Sequence, residues 1–299
     1  MFPLARRAGM LPTMRVRKAV RPKIAIVGAG NLGTALAMSL RAAGFEISEI
    51  VSREEAASRQ RSSRLARRVK ARAMVAGSSE LSGDVVWVCV PDREIGRCAN
   101  SLVALDWKGK IALHSSGALS SEELAALRRR GAWIASVHPM MTFVAGVAPS
   151  LSGVGFAVEG DREAVAVARK LVAALGGATF VIAKKDKALY HAWGTLASPL
   201  LTSLLAISER VADRAGVPRG AGRRWTLPIV RQTVENYAKR GARQGFSGPI
   251  VRGDVATVKE HLRVLKAVPA AREVYLALAR SAIHTLPTRN RKQLQALLG

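Results

Sequence analysis

Between Lys23 and Leu40 the chain reads KIAIVGAGNLGTALAMSL, and few folds accept that run. Four apolar residues, Ile24 to Val27, have the length and β-branching of a buried strand. Three glycines follow at Gly28, Gly30 and Gly33, and helical periodicity begins inside the turn that they make. Gly28 lets the chain turn sharply, Gly30 lets backbone come close to a pyrophosphate, and Gly33 lets helix and strand pack tightly. The free N–H groups and positive end of that helix then face the phosphates. A second strand is predicted at Ile47 to Val51. The strand–turn–helix–strand context reads as a dinucleotide site in which residues 28–33 (Gly28, Ala29, Gly30, Asn31, Leu32, Gly33) cradle the phosphates.

The end of the second strand bears on which dinucleotide is bound. An NAD site places Asp or Glu there to bond the ribose 2′-hydroxyl and repel a 2′-phosphate. This chain has Ser52 and Arg53 instead, a hydroxyl donor and a planar guanidinium fork suited to phosphate oxygens. Glu49 lies inside the strand rather than at its tip. The expected cofactor is NADP(H).

Strand and helix patterns alternate from Lys23 to about Ile182, which predicts an α/β fold. A Rossmann-type, mostly parallel sheet domain is followed by an all-α domain. Strands are expected at 24–27, 47–51, 73–75, 85–90, 111–114, 133–138, 155–158 and 179–182. Helices are expected at 32–43, 53–70, 93–104, 121–130 and 162–175. Ser120 and Glu123 have capping-box spacing, and Asp92 and Asp161 stand where N-caps belong. From Lys184 only helical periodicity remains: one long helix to Ala215 kinked at Pro199, then helices at 225–239, 255–268, 270–281 and 289–298. Three segments result: a basic arm (1–22, with Met14 as an alternative start), a Rossmann NADP-binding domain (23–183) and a helical substrate and dimerisation domain (184–299). Leu196, Leu200, Leu204, Ile207 and Val211 form an apolar stripe that suggests a homodimer through the helical domain.

Composition narrows the classes of function. Two cysteines, Cys89 and Cys98, exclude a disulfide framework and suggest a reducing, cytoplasmic setting. No apolar run reaches the roughly 18 residues of a membrane span. The formal charge of +26 suits a polyanion partner, yet aromatics are only 5 % and do not interleave with the basic clusters. The composition thus argues against nucleic acid as a partner, and the run from Glu54 to Arg72 reads as a solvated helix face rather than a reading head. No pattern of metal-ligand spacing is present, so no catalytic metal is expected.

Further strand ends should face the cofactor. Val90 and Pro91 form a wall with Asp92 as cap, while Ser115 and Ser116 offer hydroxyls near the nicotinamide end. His138, held by Pro139 at a strand tip, is the candidate general acid/base because histidine titrates near neutrality. His114, inside its strand, reads as structural. Lys187 and His191 share a helix face at i,i+4 and could orient a carboxylate or protonate a carbonyl oxygen. Arg252, in a glycine-rich loop before a helix capped by Asp254, is the candidate for an anionic substrate group.

The ordered motifs GAGNLG, VCVPD, HSSGAL, SVHPM, KALYHA and FSGPIVRGD resemble a bacterial family that joins a Rossmann-like NADP-binding domain to a helical domain of unknown function. Its wider relatives are the 6-phosphogluconate dehydrogenase-like proteins, among them pyrroline-5-carboxylate reductase, ketopantoate reductase and prephenate dehydrogenase. The resemblance implies a dimer whose helical domains complete the active site. His138 is similar to the histidine of prephenate dehydrogenases, but the glutamate expected six residues later is Val144 here. Lys187 is similar to the helix lysine of β-hydroxyacid dehydrogenases, whose following asparagine is Pro199 here. The expected activity is NADPH-dependent reduction of a carbonyl or imine in a small anionic metabolite, with an NADP(H)-binding sensor or scaffold as the first alternative and a nucleic-acid-associated basic protein as the last.

Overall fold

The computed structural model describes residues 21–77 and 80–299. The basic arm expected over 1–22 lies outside the described residues apart from Arg21 and Pro22. Arg21 donates to the Ala43 carbonyl and stacks its guanidinium over the Phe45 ring.

Eight strands form one sheet: β1 (Ile24–Val27), β2 (Ile47–Ser52), β3 (Arg72–Val75), β4 (Val85–Val88), β5 (Ile111–His114), β6 (Trp133–Pro139), β7 (Gly155–Gly160) and β8 (Ala178–Val181). Their order is β3-β2-β1-β4-β5-β6-β7-β8, parallel except where β7 runs antiparallel to β6. The helices among them are α1 (Asn31–Ala42), α2 (Ala56–Val69), α3 (Ile95–Ser101), α4 (Ala125–Arg128) and α5 (Arg162–Ala174). Strands β1, β4 and β5 are buried along their whole length, as a sheet covered on both faces requires. Ile24 and Ile26 face the layer containing Leu36, Leu40 and Leu65, whereas Ala25 and Val27 face Ile95, Ala99 and Leu127. Each such buried aliphatic side chain contributes roughly 1.5–3 kcal/mol.

The chain divides into two compact units, one ending at Ala192 and the other spanning Trp193–Gly299. Helix α6 (Lys187–Ala197) begins in the first unit. The second unit holds α7 (Pro199–Arg214), α8 (Ala221–Gly245), α9 (Pro249–Arg252), α10 (Val255–Val264), α11 (Pro269–Thr285) and α12 (Arg291–Leu298). Its core is Val258, Leu262, Ala279, Ile283, Leu294 and Leu298. Ala183, where the composition changes, caps a short 3-10 turn before α6.

Several local expectations are corrected. The long helix expected from Lys184 to Ala215 is broken rather than kinked. Ser198 leaves helical geometry (φ −127°, ψ −76°), and Pro199 starts α7 at a position that needs no N–H. The capping box at Ser120 does not form. The Ser120 hydroxyl takes the Glu122 amide, and a 3-10 turn leads into the four-residue α4. Asp161 occupies its N-cap position, but its carboxylate accepts from the Ile134 amide in the sheet instead. Asp92 caps no helix, since its carboxylate is taken by Ser116. Asp254 does cap α10, accepting from the Thr257 amide and hydroxyl. Helix α8 is longer than its periodicity predicts, although Gly241 (φ 70°) interrupts it.

Gly33 shows the tightest approach near the turn. A Cβ there would lie 2.0 Å from the Gly28 carbonyl oxygen, and one on Gly28 (φ 102°) would lie 2.6 Å from the Cys89 carbonyl oxygen. Because both obstacles are backbone, Gly33→Ala is expected to destabilise the protein by about 3 kcal/mol, read as a lower urea midpoint.

Candidate active site

The strand order reverses between β1 and β4, and ligands of open α/β sheets bind beyond the carboxyl ends at such a point. A cavity of about 500 Å³ opens there. Gly28, Ala29 and Gly30 form its floor, Val90 and Pro91 one wall, and Ser52 and Arg53 the end above β2. Asn31 lines an adjoining cavity, and Leu32 packs on the core side. Helix α1 has no side-chain cap, so its first amides are available to an anion. Among the described residues, a Cβ on Gly30 would meet no atom within 4 Å beyond its chain neighbours, so their packing does not require glycine there. That open space fits a ligand's phosphates approaching the backbone.

Ser52 sits in the cavity wall, but its hydroxyl donates to the Met74 carbonyl at 3.2 Å. Arg53 is largely exposed and makes only a surface pair with Glu55. Arg61 and Arg97 line the same cavity. Glu49 is buried and bonded to Arg72 and Ser82. Burial opposes its ionisation, but these hydrogen bonds hold its carboxyl below the ordinary value.

At the end of β5 the two serines are engaged internally. The Ser115 hydroxyl oxygen accepts the indole N–H of fully buried Trp87 at 2.8 Å. Ser116 donates to Asp92 at 2.7 Å and accepts from the Ala118 and Leu119 amides. Ser116 therefore shapes the loop, with its hydroxyl hydrogen directed to Asp92. His114 is structural: one ring nitrogen meets the Ser120 carbonyl and the other accepts the Ser116 amide. Burial, chiefly, lowers its pKa to about 4.

Lys187 is the largest departure. Instead of sharing an accessible face with His191, its ammonium is 1 % exposed. It donates to the Ser116 carbonyl at 3.0 Å and the Ser136 hydroxyl at 2.6 Å, with Glu159 at 3.9 Å. Glu159 in turn accepts the Ser121 amide and hydroxyl. Burial pulls the lysine pKa down, while Glu159 and Asp92 oppose that pull. Lys187 thus ties the first turn of α6 to the ends of β5 and β6.

One turn along α6, Tyr190 reaches His138. Its hydroxyl is 2.7 Å from the His138 Nδ1, and the rings meet edge to face at 5.4 Å. The His191 ring lies 6.1 Å from the His138 ring. Gly117 is wedged between them: a Cβ there would fall 2.8 Å from His138 Nε2 and 2.6 Å from His191 Cδ2. Burial, then the Lys187 charge and His191, lowers the His138 pKa to about 4. Burial also pushes the Tyr190 hydroxyl up to about 12. Both groups are neutral at pH 7, and they share one short hydrogen bond.

Sequence reasoning missed Tyr190, Ser136 and Glu159. Tyr190 sits at i+3 from Lys187 and Ser136 at i−2 from His138, so their faces were legible, but the pairing of Ser136 with Glu159 across β6 and β7 was not. Arg252 is exposed at the end of α9 in the second unit. Among the described residues no group of three His, Cys, Asp or Glu is placed to hold a metal ion, and no helix is long and apolar enough to cross a membrane.

The model of a Rossmann-like domain matches residues 11–139, and that of a domain of unknown function, DUF2520, matches residues 154–282. No curated protein matches the chain. A solved protein from Thermotoga maritima is 25 % identical with a TM-score of 0.70, covering 91 % of this chain and 98 % of its own. A provisionally assigned NADP oxidoreductase from Bacteroides fragilis is 20 % identical with a TM-score of 0.71, covering 87 % and 97 %. A reductive aminase from Aspergillus terreus, solved with NADPH and ethyl-5-oxohexanoate, is 14 % identical with a TM-score of 0.59, covering 93 % and 99 %. At these identities the likeness to the second and third speaks for the fold.

The two buried imidazoles give a pH signature. His114 and His138 bind protons less readily folded, near pH 4, than unfolded, near pH 6.5. Their contribution to stability is full above pH 6.5 and is lost as pH falls through 4. The melting temperature should drop on going from pH 7 to pH 4.5, and the drop should be shallower in His138→Asn.

Proposed function

The chain joins a Rossmann-like domain to a DUF2520 domain, and from that premise we propose an NADP(H)-dependent oxidoreductase acting on a carbonyl or imine of a small anionic metabolite. The observation that carries this reading is the 2.7 Å contact between His138 and Tyr190 at the carboxyl edge of the sheet that bears the glycine turn. In the proposed complex the first amides of α1 hold the pyrophosphate, and Arg53 and Arg61 face the 2′-phosphate. Val90 and Pro91 flank the nucleotide. When bound, the nicotinamide supplies or accepts a hydride.

The residues of the chain handle the accompanying proton. Tyr190, kept protonated by burial, donates to His138 Nδ1, and this places the ring proton on Nε2 beside Gly117. Nε2–H donates to the substrate oxygen or nitrogen. As negative charge develops on that atom, the proton passes across and the Tyr190 proton moves to Nδ1. An alkoxide is a stronger base than a tyrosinate, so the transfer runs downhill. A second reading, nucleotide binding without turnover, is favoured by the internal engagement of Lys187 and Ser116.

Fluorescence titration at physiological salt is expected to give at least tenfold tighter binding of NADPH than of NADH. Gly30→Ala should cost less than about 1 kcal/mol of stability yet weaken NADPH binding at least tenfold, because its methyl group occupies only ligand space. His138→Asn should keep NADPH affinity and lose at least a hundredfold in turnover across a panel of keto acids and imines. Unchanged turnover would remove His138 from the chemistry, and binding without any turnover in the parent protein would favour the second reading.

The reading includes a cytoplasmic homodimer, supported by two free thiols and by apolar side chains exposed on the second unit's helices. Leu196 and Leu200 from the predicted stripe are exposed, as are Trp225, Ile229 and Tyr237 on α8. Sedimentation should give twice the chain mass, and Trp225→Asp with Ile229→Asp should give the monomer.

A further inference from the structure

The glycine turn separates two cavities. Besides the nucleotide crevice, a second cavity of about 330 Å³ lies on the other side of Gly30, and Ala29, Gly30 and Arg61 line both. Its remaining walls are Asn31 and Thr34 of α1, Arg64 and Arg68 of α2, and an apolar rim from the loop after β6. The loop is joined to α1 by the Asn31 amide, which donates to the Phe143 carbonyl at 3.3 Å.

The charge here is one-sided. Arg61, Arg64 and Arg68 stand at i, i+3 and i+7, on one face of α2, while Leu65 and Val69 bury the neighbouring face in the core. None of the three arginines pairs with a carboxylate among the described residues, and no carboxylate lines this cavity. Like charges at this spacing repel by a few tenths of a kcal/mol per pair. The opposite wall is the amino end of α1, whose partial charge has the same sign. Of the α2 basic run, these three exposed arginines also line a concave site. Val144 and Val147 on the rim are more than half exposed, and they offer a small apolar surface beside the guanidinium groups.

We propose that this second cavity binds a compact phosphate-bearing anion of at least two negative charges, held by Arg64 and Arg68 with Arg61 shared between the two cavities. Guanidinium forks match phosphate oxygens in pairs. The phosphate belongs to a small metabolite separate from the nucleotide, whose 2′-phosphate the proposed complex places at Arg53 and Arg61 of the neighbouring crevice. The inference does not rest on the oxidoreductase reading, since the arginines and the cavity are present whichever chemistry occurs next door.

The test is calorimetric titration of pyrophosphate into the full chain at 150 mM salt, alone and saturated with NADH or NADPH. The variants are Arg64→Gln with Arg68→Gln, and, as a control for net charge, Arg129→Gln with Arg130→Gln. Pyrophosphate is expected to bind the parent and the control alike, and at least tenfold more weakly to the α2 variant. Binding that persists with NADPH present identifies a separate metabolite. Blockage by NADH or NADPH places the probe in the nucleotide site and overturns the proposal. The proposal is overturned if pyrophosphate does not bind, or if both double variants lose affinity equally. Circular dichroism melts of the two variants within 2 °C or so of the parent exclude unfolding as the cause. Loss of nucleotide binding with pyrophosphate binding intact would defeat the oxidoreductase reading alone.

Discussion

The candidate active site depends on one buried charge. The Lys187 ammonium, enclosed by the Ser116 carbonyl, the Ser136 hydroxyl and the Glu159 carboxylate, fixes the start of α6 against the ends of β5 and β6. Removing one partner of such a buried pair leaves the other uncompensated, at a cost of about 3–5 kcal/mol. Glu159 is itself anchored by the Ser121 amide and hydroxyl. Tyr190 lies one turn beyond Lys187, so the position of its hydroxyl at His138 follows from where the lysine is held. The same charge keeps the imidazole neutral, reinforcing the effect of burial.

The glycine turn imposes a different kind of constraint. Gly28 and Gly33 are required by the protein's own backbone, since a Cβ on either would strike a carbonyl oxygen. A Cβ on Gly30 meets nothing among the described residues, so the chain leaves that space open. Three glycines that look equivalent in sequence therefore do two jobs: two allow α1 to sit against β1, and the third leaves space. The parallel order β2-β1-β4 then gathers the ends of three strands around that space.

The strands were legible because β-branched runs bounded by turn residues and helices leave little choice of period. All eight appear within about two residues of their expected bounds. Glycine spacing and the ends of β2 and β4 likewise identified the residues around the crevice. The roles of polar side chains at the strand ends were less legible. Ser52, Ser116 and Asp92 look like free donors and caps in sequence, but each has a partner that the chain brings from 22 to 24 residues away. Lys187 failed for the same reason, its partners being 51 and 71 residues distant. Helix caps fared unevenly: Asp254 is satisfied three residues on by Thr257, whereas Asp161 is drawn away to the Ile134 amide.

Local chemistry by itself determined the alternation of strand and helix, the glycine turn that opens α1, and the histidine at a strand tip. These depend on period, on glycine and proline geometry, and on neighbours within a few residues. Only the tertiary structure decided that Lys187 is a buried clamp, that Tyr190 is the partner of His138, and that part of a scattered basic run lines a cavity. Hydrogen bonds across a sheet join residues whose separation in sequence carries no information about their distance in space, and the register of β6 against β7 had to be present before Ser136, Glu159 and Lys187 could meet.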